Sequence, residues 1–147
     1  MFKLNIREYK QLVDTLSLCA KYYNPDTFQH CLRVAKYAIE NVCLSEEERQ
    51  IAFCVAMCHD LLEDTDATID EICKVTDSSK EFVKNVLTAL TKEKPETYVD
   101  YIKRLKKCKS IYPYIIKLSD MKDHLMQVET LTDKLKEKYQ EALPYLL

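Results

Sequence analysis

The chain has 147 residues, 22 of them basic and 24 acidic, and a formal net charge of −2. The length suits one domain with its own core, and 47% hydrophobic residues exclude a disordered chain. The near-neutral charge does not indicate nucleic-acid binding, and no apolar run reaches the about 20 residues that span a bilayer. We expect a single domain over 1–147, a small-molecule partner, and no nucleic-acid or membrane partner.

The numbers of cysteine and glycine residues indicate the cellular compartment and the fold class. The chain has seven cysteines and no glycine. The odd cysteine count without a Cys-x-x-Cys pair favours buried free thiols in a reducing compartment, so we expect a cytoplasmic protein. A Cys/His zinc site at Cys54, Cys58 and His59 stays open, although packing is favoured for these thiols. Since strand-rich folds use glycine in tight turns, its absence predicts an all-α fold.

Helical periodicity begins near the N-terminus. It predicts a first helix over 6–22, which the segment Asn24-Pro25-Asp26 ends. Asp26 is the predicted cap of a second helix that runs to about Asn41, with Val42 among its apolar positions.

Two capping boxes mark the next helices. Ser45 with Glu48 begins a third helix that is predicted to continue to about Leu62. Thr68 with Glu71 begins a short helix that ends near residue 75.

The C-terminal half shows the same period. Asp77 or Ser78 is predicted to begin a helix reaching about residue 90, and another helix covers about 97–107. Pro113 fits the first turn of the next helix. The last helix covers about 132–143, and Pro144 is predicted to end it.

The segment Cys58–Thr65 contains the densest group of chemically active side chains. Its histidine and acids directly follow the apolar run 51–58, where charges are costly to desolvate unless an ion compensates them. On a continuous helix, His59 and Glu63 share a face, as do Asp60 and Asp64. This spacing predicts His59 and Asp60 as metal ligands, with the two later acids directed at a bound water.

Two further ligands are predicted elsewhere in the chain. His30 lies at the edge of the core-facing side of the second helix, and Asp120 ends an apolar run. Each alone is more often a core histidine, a cap or an ion-pair partner. Together with His59 and Asp60 they form a set of imidazoles and carboxylates that suits manganese, iron, cobalt, nickel or zinc, and magnesium less readily.

This order of residues resembles the HD superfamily of metal-dependent phosphohydrolases over most of the chain. Within it, the chain is most similar to the hydrolase domain of RelA/SpoT-type alarmone enzymes and their small single-domain relatives. The similar segments are His59–Thr65 for the His-Asp-x-x-Glu-Asp-Thr pattern, Thr68–Ile72 after it, Leu90–Lys92 for Val-Thr-Lys, Ile116–Asp120 for Lys-Leu-Ala-Asp, and His30–Ala35 for the first-histidine helix.

The periodic pattern predicts a compact all-helical domain of six to eight helices, and the resemblance implies that it is an HD-domain bundle. It implies one divalent ion, usually manganese, bound by His30, His59, Asp60 and Asp120. It also implies that Glu63 and Asp64 orient or deprotonate the attacking water. The reaction of that group removes the 3′-pyrophosphate from ppGpp or pppGpp.

The chain departs from this group where the substrate would bind. The family's Arg-Lys segment before the first histidine is replaced by a shorter region containing Lys21, and its Arg-Leu-His-Asn by Met121–His124. Lys21, Lys122 and His124 are the predicted substrate contacts, with metal contact or a boundary position left open for His124. A broader nucleotidase or phosphodiesterase, or a non-catalytic nucleotide-sequestering module, are the alternative functions.

Overall fold

A computed structural model describes residues 5–41 and 43–147, so the core position predicted at Val42 lies outside the described residues. Within these ranges there are eight helices of at least eight residues, one single helical turn and no strand. The predicted all-α bundle of six to eight helices is confirmed. The elements are α1 Ile6–Tyr22, α2 Pro25–Ile39, α3 Glu46–Met57, α4 Leu61–Asp64, α5 Ile69–Thr76, α6 Lys80–Leu90, α7 Tyr98–Lys106, α8 Ile111–Met126 and α9 Asp133–Leu146.

None of the helices in the described part of the chain combines the length and the apolar character that a bilayer crossing requires.

Local capping fixes most helix starts. Both predicted capping boxes form: Ser45 accepts from the Glu48 amide, and Thr68 from the Glu71 amide. The cap of α2 is Asn24 and not Asp26, because the Asn24 side chain accepts from the Thr27 amide. Asparagine fills this position as well as aspartate does.

Two other predicted boundaries are wrong. Helix α6 begins after Ser79, whose hydroxyl accepts from the Phe82 amide. Asp77 instead closes α5 in the left-handed region, with φ 50° and ψ 40°. Helix α9 continues past Pro144 to Leu146, which is completely buried. Burial of the Leu146 side chain outweighs the one backbone hydrogen bond that proline removes near a helix end.

The core consists of two hydrophobic clusters joined by α8. The larger cluster contains Ile115 and Ile116 with residues of α1, α2, α3, α5 and α6. The smaller one contains Met121 with residues of α7 and α9. Asp120 lies between Ile116 and Met121 in sequence, so α8 carries this carboxylate to the junction of the two clusters.

The seven cysteines are free. Four of them are buried, namely Cys19, Cys31, Cys54 and Cys58, while Cys43 is exposed and Cys73 and Cys108 are half-buried. Burial raises the pKa of Cys54 to about 11. The neighbouring Cys19 thiol and burial raise the pKa of Cys58 well above its ordinary value. Among the described residues, the groups of side chains placed to hold a metal ion contain no cysteine, which favours packing over zinc ligation for Cys54 and Cys58.

Candidate metal centre

Helix α3 ends at Met57, earlier than the predicted end near Leu62. The Met57 carbonyl accepts from the Tyr23 hydroxyl at 2.8 Å and from the Cys19 thiol at 3.5 Å. The Leu61 amide donates instead to the Cys58 carbonyl at 3.0 Å. Residues 58–60 therefore form a turn, and the predicted continuous helical face from His59 to Glu63 is wrong.

This turn fixes the orientation of His59. Its Nδ1 lies 2.7 Å from the Ala56 carbonyl oxygen, which only accepts, so Nδ1 carries the proton of that bond. The opposite nitrogen, Nε2, is buried and has no hydrogen-bond partner among the described residues. Asp60 Oδ2 at 3.3 Å and Asp120 Oδ1 at 3.7 Å lie beside it without hydrogen-bond geometry. A buried nitrogen with a free lone pair, next to two carboxylates, is an arrangement that can bind a cation.

The four predicted ligands converge from α2, the 58–60 turn and α8. His30 Nε2 lies 3.0 Å from Asp120 Oδ1 and 3.9 Å from Asp60 Oδ2. Ligands about 2.1 Å from one ion stand about 3 Å apart when adjacent and about 4.2 Å apart when opposite. The nitrogen–oxygen separations, from 3.0 to 3.9 Å, fall within these limits. These four separations fit a divalent ion, while Asp60 and Asp120 belong to separate groups of potential ligands that share His30.

His124 also borders this cluster. Its Nε2 lies 3.3 Å from Asp120 Oδ1, and its ring centroid is 4.6 Å from that of His30. Within residues 5–41 and 43–147, potential ligand atoms meet within 4.8 Å in two groups, one of His30, His59 and Asp60, the other of His30, Asp120 and His124. His124 is thus positioned to contact either the ion or a group bound to it.

A buried lysine balances the negative charge of the cluster. Lys117 Nζ lies 2.7 Å from Asp120 Oδ2. Burial opposes the charge of Asp120, but the charge of Lys117 and the neighbouring histidines outweigh it, so the pKa of Asp120 lies well below its ordinary value. Asp120 likewise keeps the pKa of Lys117 well above its usual range despite burial. Lys117 occupies Oδ2, which leaves Oδ1 facing the imidazoles.

The histidines respond to the same carboxylates. Burial lowers the pKa of His59, but Asp60 and Asp120 more than reverse this effect and raise it well above its ordinary value. The pKa of His30 is raised despite burial, through Asp120 and Asp123. The cluster therefore attracts positive charge strongly, whether as protons or as a metal ion.

Glu63 and Asp64 lie on the single turn α4, directly after the candidate ligands. Both residues are exposed to solvent. Partial burial and the Asp60 carboxylate raise the pKa of each. Lys117 acts in the opposite direction on Glu63. Both acids lie on the helical turn that begins directly after the candidate ligand Asp60.

The two predicted lysine contacts lie apart from this cluster. Lys21 borders a groove between α1 and α5, with Lys10 and Glu71 among its neighbours. The Lys122 ammonium lies over the Tyr37 ring, 4.3 Å from its centroid. Of the three predicted substrate contacts, His124 is the one that lies beside a candidate ligand, Asp120.

Sequence reasoning missed two neighbours of the ligands, Lys117 and Asp123, and also missed Arg33, which contacts Asp123. Lys117 contacts Asp120, while Asp123 contacts His30 and Arg33. The spacing of Lys117 and Asp120, three residues apart on α8, was a usable signal. The partners of Asp123 lie 93 and 90 residues away, so no local pattern marks them.

Comparison with known proteins adds no family assignment: no protein-family model matches the sequence, and no curated protein matches it.

Proposed function

We propose that the chain is a metal-dependent phosphohydrolase that acts on a nucleotide, with a guanosine alarmone such as ppGpp as the first-choice substrate and its 3′-pyrophosphate as the group removed. The carrying observation is the buried, unpartnered Nε2 of His59 beside Asp60 and Asp120, with His30 adjacent. Imidazole and carboxylate ligands from three segments suit a first-row divalent metal. The alarmone substrate rests on the sequence resemblance.

In this proposal, His30, His59, Asp60 and Asp120 hold one divalent ion, for which manganese is the first choice. When bound, the ion lowers the pKa of a water molecule and neutralises charge on a phosphoryl oxygen. Lys117 holds Asp120 Oδ2, so that the other carboxylate oxygen stays directed at the imidazoles.

Glu63 and Asp64 supply the acid–base chemistry. Each carboxylate is near Asp60, and α4 is a single turn that begins directly after that residue. We assign to them the orientation of the attacking water and the acceptance of its proton. A site that only bound a nucleotide would need neither role.

Substrate contacts follow from distance to the cluster. His124 borders Asp120 and is the first candidate to contact the group being hydrolysed. Lys21 borders the groove between α1 and α5, and Lys122 lies over the Tyr37 ring, so a contribution from them requires a substrate that extends away from the ion, as a nucleotide with phosphates at two positions does.

The test is turnover by the manganese-loaded protein. Incubation with ppGpp, GTP, deoxynucleoside monophosphates and cyclic dinucleotides, followed by anion-exchange chromatography, identifies the products. GDP and pyrophosphate from ppGpp support the first choice. Another hydrolysed nucleotide supports the broader nucleotidase or phosphodiesterase. Tight nucleotide binding without any turnover refutes the hydrolase and supports the sequestering module.

Two variants test the site itself. Asp60→Ala is expected to lose both the ion and turnover. Asp66→Ala, which removes an exposed acid from the same region, is the matched control and should retain both. An Asp60→Ala protein that keeps the ion and its activity would overturn the assignment of the ligands.

A further inference from the structure

Asp123 is the most deeply buried carboxylate that contacts a candidate ligand. Its side chain is 1% exposed, and Oδ2 lies 2.7 Å from His30 Nδ1. Arg33 donates to the same carboxylate through two nitrogens, Nε at 2.6 Å from Oδ1 and Nη2 at 3.1 Å from Oδ2. The three side chains link α2 to α8.

These contacts fix the tautomer of His30. An ionised carboxylate only accepts hydrogen bonds, so His30 Nδ1 is the donor. The neutral ring then has its lone pair on Nε2, the nitrogen 3.0 Å from Asp120 Oδ1. The same hydrogen bond limits rotation of the ring and increases the basicity of a metal-binding imidazole.

Arg33 holds the carboxylate in the orientation that this bond needs. Its planar guanidinium engages both oxygens and therefore sets the plane of the carboxylate. Its positive charge also compensates a carboxylate that is removed from water, which would otherwise be costly. The Arg33 side chain is about one-third exposed, and its ion pair is with Asp123 rather than with a candidate ligand.

We propose that Asp123 is a positioning residue that fixes His30 for metal binding, and that Arg33 fixes Asp123. This inference rests on the proposed metal site. It assigns no contact with substrate or ion to either residue.

The affinity for Mn²⁺ measures how strongly Asp123 supports His30 as a metal ligand. Isothermal titration with Mn²⁺ should give a Kd about 10- to 100-fold weaker for Asp123→Ala. Asp123→Asn keeps an acceptor and should recover part of that affinity, and Arg33→Met should weaken binding less than Asp123→Ala. The control is Arg7→Met, which removes an exposed two-nitrogen contact with Asp77 and should leave the Kd unchanged.

Imidazole ¹⁵N NMR supplies a readout that does not depend on the ion. In the metal-free protein at alkaline pH, His30 should show one tautomer protonated at Nδ1, and the Asp123→Ala protein should show a mixture. His30→Asn identifies the signal. If Asp123→Ala does not fold, Asp123→Asn and Arg33→Met test the same order of effects.

The outcomes separate the two proposals. Wild-type protein that binds no Mn²⁺ refutes the metal site, while the tautomer measurement still tests the positioning of His30. Wild-type Kd values in the Asp123 variants, or weaker binding with an unchanged His30 tautomer, overturn the positioning role and leave the proposed hydrolase standing.

Discussion

Substituting Tyr23 with phenylalanine should destabilise the protein and disturb the metal centre together. The Tyr23 hydroxyl donates to the Met57 carbonyl at 2.8 Å, the contact that accompanies the end of α3 before His59 and Asp60. Burial holds the pKa of Tyr23 far above its ordinary value, so the phenol remains a donor at any workable pH.

The loss of unfolding free energy can be estimated from the Met57 carbonyl, which loses its strongest hydrogen-bond donor. A buried acceptor that loses its partner costs about 1–3 kcal/mol. Since the Cys19 thiol donates weakly to the same oxygen at 3.5 Å, we expect the lower part of that range, about 1–2 kcal/mol. For a domain of this size the loss corresponds to a decrease in Tm of about 3–6 °C.

Urea denaturation and Mn²⁺ titration of the same samples provide the assay. The ion should bind about tenfold more weakly to Tyr23→Phe, because the turn that carries His59 and Asp60 loses an anchor, as other groups that support metal ligands do. Tyr22→Phe is the matched control. It removes a hydroxyl that contacts Glu71 near the surface at 2.7 Å and should change stability by less than about 0.5 kcal/mol.

Equal stability of the two variants would refute the role of the Met57 carbonyl. A destabilised Tyr23→Phe protein with wild-type Mn²⁺ affinity would show that the hydrogen bond supports the core without positioning the ligands.

Three further predictions concern Glu63 as the catalytic base, the buried side chain of Leu61, and the pH dependence of stability at Glu96. Glu63→Gln should retain Mn²⁺ affinity while kcat falls about 10²- to 10⁴-fold, as measured by product release, and a wild-type kcat would exclude this residue as the base. Leu61→Ala removes a fully buried side chain and should cost about 2–5 kcal/mol in urea denaturation, a smaller loss implying that the site collapses around the cavity. Arg104 holds the pKa of Glu96 below its ordinary value, so this contact stabilises the fold above the ordinary pKa and its contribution is lost as pH falls through the lowered pKa. The stability difference between wild type and Glu96→Gln should therefore be constant near pH 7 and shrink below about pH 4.5, and a pH-independent difference would contradict the ion pair.

Local sequence determined most helix starts. Ser45 with Glu48 and Thr68 with Glu71 satisfy backbone amides within their own first turns, so their effect does not depend on distant residues. The periodic placement of apolar residues, together with the absence of glycine, similarly sufficed for the all-α class.

The candidate ligands were also identified from sequence, through the order of His30, His59, Asp60 and Asp120. Their mutual distances came from tertiary structure, since α2, the 58–60 turn and α8 meet only when the core forms. Whether these residues bind a metal remains a prediction that the proposed titrations test.

Tertiary contacts decided the features that local rules misjudged or missed. Helix α3 ends at Met57, where a hydroxyl 34 residues away in sequence contacts the last carbonyl. Helix α9 passes through Pro144 where Leu146 is buried in the smaller core cluster. Asp123 faces His30 and Arg33 across the interface of α2 and α8. Capping and periodicity act over one or two turns and are therefore legible in the sequence, whereas these contacts join residues that only folding brings together.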